Sequence, residues 1–147
     1  MAKRAAAPPT APAGKRRSPP HGRARAGAST TARGRAAEAE AARHLEAHGL
    51  TILDRNLRVG AAELDIVACE GRAVVVVEVR MRGAGAFTGP LGSVDAAKRE
   101  RLRRAGERLW QTRYAADAGV DTLRFDVIAV TSTPERPLAI EWVRAAF

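Results

Sequence analysis

Four charged side chains interrupt two neighbouring runs of apolar, β-branched residues, and their types and spacing suit metal chemistry. The first run contains Glu63 and Asp65, and the second contains Glu78 and Arg80. Ionised carboxylates among valines cost free energy unless hydrogen bonds or a cation compensate them. Hard oxygen ligands suit Mg²⁺ or Mn²⁺, which keep several waters and bind through one or two carboxylates. The pattern therefore indicates either a divalent-metal site or a solvated ion pair of Arg80 with Glu63 or Asp65 at the edge of a sheet.

The two runs flank a short glycine-containing turn at residues 70–72, which predicts a β-hairpin. Side chains alternate between faces along a strand, so Glu63 and Asp65 share one face, and Glu78 and Arg80 share a face of the partner strand. A turn with two central residues points all four charged groups the same way. A three-residue turn would place the two pairs on opposite faces. The register therefore decides whether a carboxylate cluster forms.

A helix is predicted before the hairpin, from near Arg35 to His48, with Gly49 as its C-terminal cap. Glu38 lies on the apolar stripe of this helix, seven residues before Leu45. An acid in that position is either a hydrogen-bonded structural residue or a residue of the functional site.

A second helix is predicted after the hairpin, from a cap at Ser93 to about Tyr114. Lys98 interrupts its apolar stripe, and the ammonium either extends to solvent or reaches the carboxylates. A second face of this helix carries three arginines at i, i+3 and i+7 spacing: Arg101, Arg104 and Arg108. A charge run on a helix is usually a solvated face, but this is the densest cationic patch outside the N-terminal segment. We interpret it as a surface that follows nucleic-acid phosphates.

Shorter features complete the predicted order of elements. Thr51–Asp54 is predicted as a short strand, and Leu123–Val130 and Leu138–Val143 as the last two strands. The glycine-rich residues 83–92 lack a phosphate-loop ending and are predicted to form a mobile loop over the site. Asp126 is interpreted as a structural residue with Arg124 as its candidate partner.

Several motifs, taken in their order along the chain, carry a resemblance to a known family. They are Glu38 within residues 38–45, Arg55–Arg58, Glu63–Ala68, Val77–Arg82, Lys98 after Val94, and Arg124–Val127. Together they resemble the YraN-type family of bacterial proteins, whose fold is restriction-endonuclease-like and belongs to the PD-(D/E)XK nuclease superfamily. The resemblance covers roughly residues 34–147. It implies an α/β fold in which helices flank a mixed sheet.

The resemblance also implies a metal-dependent nuclease site. Carried onto matching positions, Asp65 and Glu78 become metal ligands and Glu38 an outer or bridging ligand. Arg80 stands where the superfamily has a lysine that positions or polarises the attacking water. The implied cofactor is Mg²⁺ or Mn²⁺, and the implied substrate is structured or branched DNA. Arg80 can stabilise transition-state charge, but a guanidinium is always protonated in proteins and cannot act as a general base.

The arginine leaves a second function open, a nucleic-acid-binding module that kept the scaffold and lost turnover. A third function, a protein-interaction domain, would require exposed apolar patches that the sequence does not reveal. The oligomeric state is also left open by the sequence, with a homodimer among the options.

Charge is distributed unevenly along the chain. Residues 1–33 contain eight of the 25 Lys and Arg residues and no acid, which leaves 17 cations and all 16 acids in residues 34–147. The net charge of +9 therefore comes mainly from a Pro- and Ala-rich segment that we predict to be a disordered basic tail before a single domain at 34–147. The one cysteine excludes an internal disulfide. No apolar run approaches the roughly 20 residues of a membrane span, so no membrane contact and a cytoplasmic location are predicted.

Overall fold

A computed structural model describes residues 28–83, 89, 92, 94–133 and 136–147 of the chain. Its elements in chain order are α1 (Ala28–Ala47), β1 (Thr51–Val59), β2 (Ala62–Glu70), β3 (Ala73–Arg82), α2 (Ala96–Leu109), β4 (Thr122–Thr133) and β5 (Arg136–Val143). This confirms the predicted α/β fold, a mixed sheet with flanking helices. The predicted tail up to residue 27 and most of the predicted loop at 83–92 lie outside the described residues.

The five strands form one sheet in the order β1-β2-β3-β4-β5. The first three strands form an antiparallel meander, β4 pairs parallel with β3, and β5 pairs antiparallel with β4. The turn between β2 and β3 has two central residues, because Glu70 pairs with Ala73. Gly71 takes a positive φ of 59° there, a conformation that glycine adopts without steric cost. The structure therefore has the register that places the hairpin acids on one face.

Two apolar cores lie on opposite faces of the sheet, one under each long helix. Alternate valines of β3 serve both: Val75 and Val77 belong to the core under α1, and Val74 and Val76 to the core under α2. A strand buried on both faces reads as a continuous apolar run, which explains the four consecutive valines. Glu78 is the next residue of β3 on the α2 face.

Both helices begin at other residues than the sequence predicted. Helix α1 begins at Ala28 rather than near Arg35, so it extends about two turns further toward the N-terminus than predicted. Helix α2 begins at Ala96, and its cap is Asp95, whose Oδ1 accepts a hydrogen bond from the Lys98 N–H at 2.7 Å. The predicted cap at Ser93 is therefore wrong. An aspartate cap also places a negative charge at the positive end of the helix dipole.

The other boundaries show one confirmation and one correction. The predicted end of the second helix near Tyr114 is confirmed, although the last turn, Trp110–Tyr114, is π-helical. The first strand does not end at Asp54 but continues to Val59, since it pairs with β2 as far as the Val59–Ala62 pair. No helix among the described residues is long and apolar enough to cross a membrane.

Helix α2 packs closely on the sheet at Gly106, where an added Cβ would lie 2.6 Å from ring atoms of Phe125. Gly106→Ala is therefore expected to lower the free energy of unfolding by about 1–3 kcal/mol, although alanine is the better helix former. Gly34 in α1 is the matched control, because a Cβ there meets nothing within 4 Å. Gly34→Ala is expected to stabilise by up to about 1 kcal/mol. Urea denaturation measures both changes, and equal stabilities of the two variants would contradict the close packing.

Candidate functional site

Two acidic side chains meet on the α2 face of the sheet, just beyond the point where the β2–β3 ladder ends. The last pair of that ladder is Ile66 with Val77, so Asp65 and Glu78 are the next residue of each strand. The Val79 N–H donates a hydrogen bond to Asp65 Oδ2 at 2.8 Å. The aspartate side chain thus replaces a backbone partner where the ladder ends. Strand pairing and this bond together fix the Asp65 carboxylate beside Glu78.

Glu78 is almost completely buried, with an exposed fraction of 3%. Its Oε1 accepts a hydrogen bond from Lys98 Nζ and lies 3.6 Å from an Arg80 guanidinium nitrogen. Its Oε2 is also buried but has no hydrogen-bond partner among the described residues. A buried carboxylate oxygen without a partner is costly, so this atom marks a position that a bound cation would stabilise.

The two acids disfavour each other's charge. Burial, followed by the charge of Glu78, raises the pKa of Asp65 to about 6, although the Val79 N–H and the Lys98 charge both lower it. Two adjacent carboxylates in a desolvated place resist ionising together. Such perturbed groups are frequent at functional sites, where a cation or substrate charge relieves the repulsion.

The predicted cations of the hairpin and of the second helix reach the same carboxylate. Lys98 lies in the first turn of α2 and contacts Glu78, which decides between the two positions predicted for its ammonium. Arg80 lies on β3 and pairs with Glu78 as well. Glu63 instead forms an exposed ion pair with Arg58, at 3.7 Å. The structure therefore brings together Asp65, Glu78, Arg80 and Lys98.

Glu38 is not joined to this cluster. It lies on α1, whose apolar residues pack on the other face of the sheet. Within the described part of the chain, no group of three or more His, Cys, Asp or Glu side chains is arranged to hold a metal ion. The Oε2 of Glu38 is buried without a hydrogen-bond partner among the described residues. Its role as an outer or bridging ligand stays a prediction.

A groove of about 560 Å³ extends from the carboxylates along α2. Its walls are the β1–β2 turn on one side and α2 on the other, and they include Asp65, Lys98, Arg101, Arg104 and Arg108. The three arginines predicted from their spacing thus lie in the same groove as the acid predicted from the hairpin. Neither Arg101 nor Arg108 forms an ion pair with another described residue, whereas Arg104 pairs with Glu100 at 2.8 Å. The groove combines the Asp65 carboxylate with a row of cations.

Comparisons with known proteins agree with the motifs that line this site. The model of the family described as "Uncharacterised protein family UPF0102" matches residues 37–130, a region that contains both acids, Arg80 and Lys98. The chain belongs to the UPF0102 family. This family assignment confirms the YraN-type resemblance.

Relatives in the UPF0102 family span most of the chain. A UPF0102 protein of Sorangium cellulosum is 46% identical over 114 residues, which cover 78% of this chain and 79% of the relative. A UPF0102 protein of Acidothermus cellulolyticus is 43% identical, covering 78% of this chain and 92% of the relative. One of Dechloromonas aromatica is 37% identical, covering 80% and 90%.

One wall of the groove in this UPF0102 chain was not predicted. Gly60 and Ala61 form the β1–β2 turn that faces α2, and an added Cβ at Gly60 would lie 3.4 Å from an Arg108 guanidinium nitrogen. The sequence signal was present, since Gly60 follows an apolar residue at the end of a strand. The turn was missed because the first strand was predicted to end at Asp54, which placed Gly60 and Ala61 in a loop.

Asp126 lies outside the groove and is completely buried. Its carboxylate accepts hydrogen bonds from Arg124, from the Trp142 indole N–H and from the Ala145 backbone N–H. The predicted pairing of Asp126 with Arg124 is therefore confirmed. The residue ties the chain after β5 to β4.

Proposed function

We propose that this UPF0102 chain is a metal-dependent nuclease that hydrolyses phosphodiester bonds in structured or branched DNA. The observation that carries the proposal is the buried Glu78 Oε2, which has no hydrogen-bond partner among the described residues. The Glu78 carboxylate lies beside Asp65, and Asp65 lines a groove that is rich in cations. A carboxylate pair of this kind attracts a divalent cation, and the row of arginines attracts phosphates.

The donor set fits a hard divalent cation. Asp65 and Glu78 would hold Mg²⁺ or Mn²⁺ through carboxylate oxygens, and water and substrate oxygens complete such shells. Bound there, the ion supplies Lewis acidity toward a phosphoryl oxygen and lowers the pKa of a bound water. The nuclease superfamily implied by the YraN-type resemblance has acids at these two positions, which supports the same assignment. The branched substrate is inferred by analogy with the junction resolvases of that superfamily.

The residues of the chain have separate tasks in this scheme. Lys98 holds Glu78 Oε1 and leaves Oε2 for the cation, while the Val79 N–H fixes the orientation of Asp65. The arginines of α2 bind phosphates beside the reacting one, which positions the substrate without reading its sequence. Positioning of this kind lowers the barrier because the reacting groups are already oriented.

Replacing Arg101, Arg104 and Arg108 with glutamine tests the groove as a phosphate-binding surface. Binding of a labelled four-way DNA junction is expected to weaken at least tenfold at low salt. The slope of log affinity against log salt is expected to decrease by about 2–3, since each lost phosphate contact contributes about 0.9. The matched control replaces Arg33, Arg43 and Arg72 with glutamine. These three arginines lie outside this groove, and their replacement removes the same amount of charge. Equal losses in the two triple variants would show non-specific attraction and contradict the groove.

Cleavage of the same junction by the full chain tests the chemistry. The wild-type protein is expected to cut it with Mg²⁺ or Mn²⁺ and to stop when a chelator is added. A junction that is bound through the groove but not cut with either metal would remove the nuclease proposal and leave a binding module.

A further inference from the structure

We propose that Lys98, and not Arg80, is the cation that contacts the reacting phosphate in the groove. The inference rests on the nuclease function proposed above and assigns one residue of its site. Both side chains lie at Glu78, and their exposed fractions are nearly equal, at 30% for Lys98 and 29% for Arg80. Proximity to the acid and solvent access therefore do not distinguish them.

Position relative to the groove distinguishes the two cations. Lys98 lines the groove together with Asp65 and the three arginines, whereas Arg80 is not among the described residues that line it. A phosphate lying in the groove therefore meets the Lys98 ammonium beside the carboxylates. Lys98 precedes Arg101, Arg104 and Arg108 on the same helix, so α2 presents one continuous cationic row that ends at the acid pair.

The contacts of Lys98 keep it in place without using all its donors. Its backbone N–H is held by the Asp95 cap at 2.7 Å, which fixes the first turn of α2. An ammonium has three N–H donors, and the hydrogen bond to Glu78 Oε1 uses one of them. In the part of the chain that the structure describes, the ammonium donates to no other group, so two donors remain for a phosphoryl oxygen. Arg80 in contrast presents a rigid, planar fork, and one of its nitrogens already lies 3.6 Å from Glu78.

The reaction needs a positive charge at this place. In hydrolysis the oxygen of one water forms a bond to phosphorus while one ester P–O bond breaks. One proton of that water ends on the departing hydroxyl group, and the other remains on the new phosphate monoester or is released. Negative charge increases on the phosphoryl oxygens in the transition state, where a fixed cation stabilises it. Lys98 acts in this step by its charge and hydrogen bonds.

Single substitutions of the two cations form a matched pair, since each removes one charge beside Glu78. Lys98→Gln is expected to lower kcat for junction cleavage about 100-fold or more with less than a fivefold change in KM, the range found for lost transition-state donors. Arg80→Gln is expected to lower kcat less than tenfold. Lys98→Arg, which keeps the charge, is expected to recover part of the loss. The thermal unfolding midpoint of each variant shows whether that variant is folded. If Lys98→Gln is unfolded, the kcat of Lys98→Arg is compared with that of Arg80→Gln instead.

Binding gives a second readout that does not need turnover. With Ca²⁺ in place of Mg²⁺, Lys98→Gln is expected to reduce the salt slope of junction binding by about 0.9, and Arg80→Gln is expected to leave it unchanged. A slope that changes only in Arg80→Gln, in both variants or in neither overturns the assignment. If the wild-type protein binds the junction without cutting it, the nuclease proposal fails, and this comparison still decides between the two cations.

Discussion

Replacing Asp126 with alanine is expected to lower the free energy of unfolding by about 3–5 kcal/mol, the range for breaking a buried ion pair by removing one partner. The Asp126 carboxylate is completely buried and accepts four hydrogen bonds. Arg124 donates two of them at 2.9 and 3.0 Å, Trp142 donates one at 3.0 Å, and the Ala145 N–H donates one at 2.9 Å. Alanine would leave all four donors without their acceptor. Since small domains are stable by only about 5–15 kcal/mol, this is a large fraction of the total.

The loss would extend beyond these four bonds because Arg124 belongs to a larger ion-pair network. Arg124 also donates to Glu70 at 2.7 Å, and Glu70 in turn accepts from Arg144. Burial raises the pKa of Glu70, but the hydrogen bonds from Arg144 and Arg124 outweigh it and lower that pKa overall. The network thus connects the end of β2, the start of β4 and the chain after β5.

The matched control for Asp126→Ala is Asp121→Ala. Asp121 pairs with Arg72 at 2.6 Å, but both side chains are more than half exposed. Exposed pairs contribute about 0–1 kcal/mol, so this variant is expected to stay within that range of the wild type. Urea denaturation at neutral pH, monitored by tryptophan fluorescence, compares the stabilities of the two variants. If both variants unfold at the same urea concentration, Asp126 is not the structural centre that its contacts indicate.

The hairpin was the part of this fold most accessible from sequence. The apolar runs of β2 and β3 are rich in β-branched residues, and Gly71 marks the turn between them, which together predict a hairpin. The resemblance to the YraN-type family then selected Asp65 and Glu78 among the acids. Sequence alone did not determine the turn length, on which the common face of the charges depends. The Glu70–Ala73 pair of the structure shows that the turn has two central residues.

Contacts between elements that are distant in the sequence were harder to predict. Lys98 reaches Glu78 only because α2 packs on this face of the sheet, and the sequence left two positions open for its ammonium. The full environment of Asp126 includes Trp142 and Ala145, which come from the chain end and carry no local signal. The helix cap shows the same limit on a smaller scale. Ser93 and Asp95 are both good capping residues, and the phase in which α2 packs selects the second.

Neutralising Asp65 is expected to stabilise the metal-free protein, in contrast to the loss at Asp126. Its pKa is raised from 3.8 to about 6, first by burial and then by the Glu78 charge. For an acid with a raised pKa in the folded state, the cost of its charge is absent below the unfolded pKa and complete above the folded pKa. The wild-type protein therefore loses this part of its stability as pH rises from about 4 to 6, by roughly 3 kcal/mol.

Asp65→Asn removes that cost and keeps an acceptor for the Val79 N–H, which donates to Asp65 at 2.8 Å in the wild type. In a chelating buffer, the variant is expected to be up to about 3 kcal/mol more stable than the wild type at pH 7, with a smaller gain toward pH 4. Urea denaturation across this range measures the difference. Glu63→Gln is the control, because Glu63 lies in the same groove but is exposed and paired with Arg58. Its stability is expected to follow that of the wild type.

Asp65→Asn is also expected to abolish metal binding and DNA cleavage. A gain in stability together with a loss of activity identifies Asp65 as a residue of the functional site. Calorimetry with Mg²⁺ and Mn²⁺ should show binding to the wild type and to Glu63→Gln, and none to Asp65→Asn. Junction cleavage is expected to fall at least 1,000-fold in Asp65→Asn (about 4 kcal/mol of transition-state stabilisation). A carboxylate kept for folding would give the opposite result, because its removal would lower stability at every pH. If Asp65→Asn is less stable than the wild type at pH 7, the acid pair is structural, and the metal site has no support.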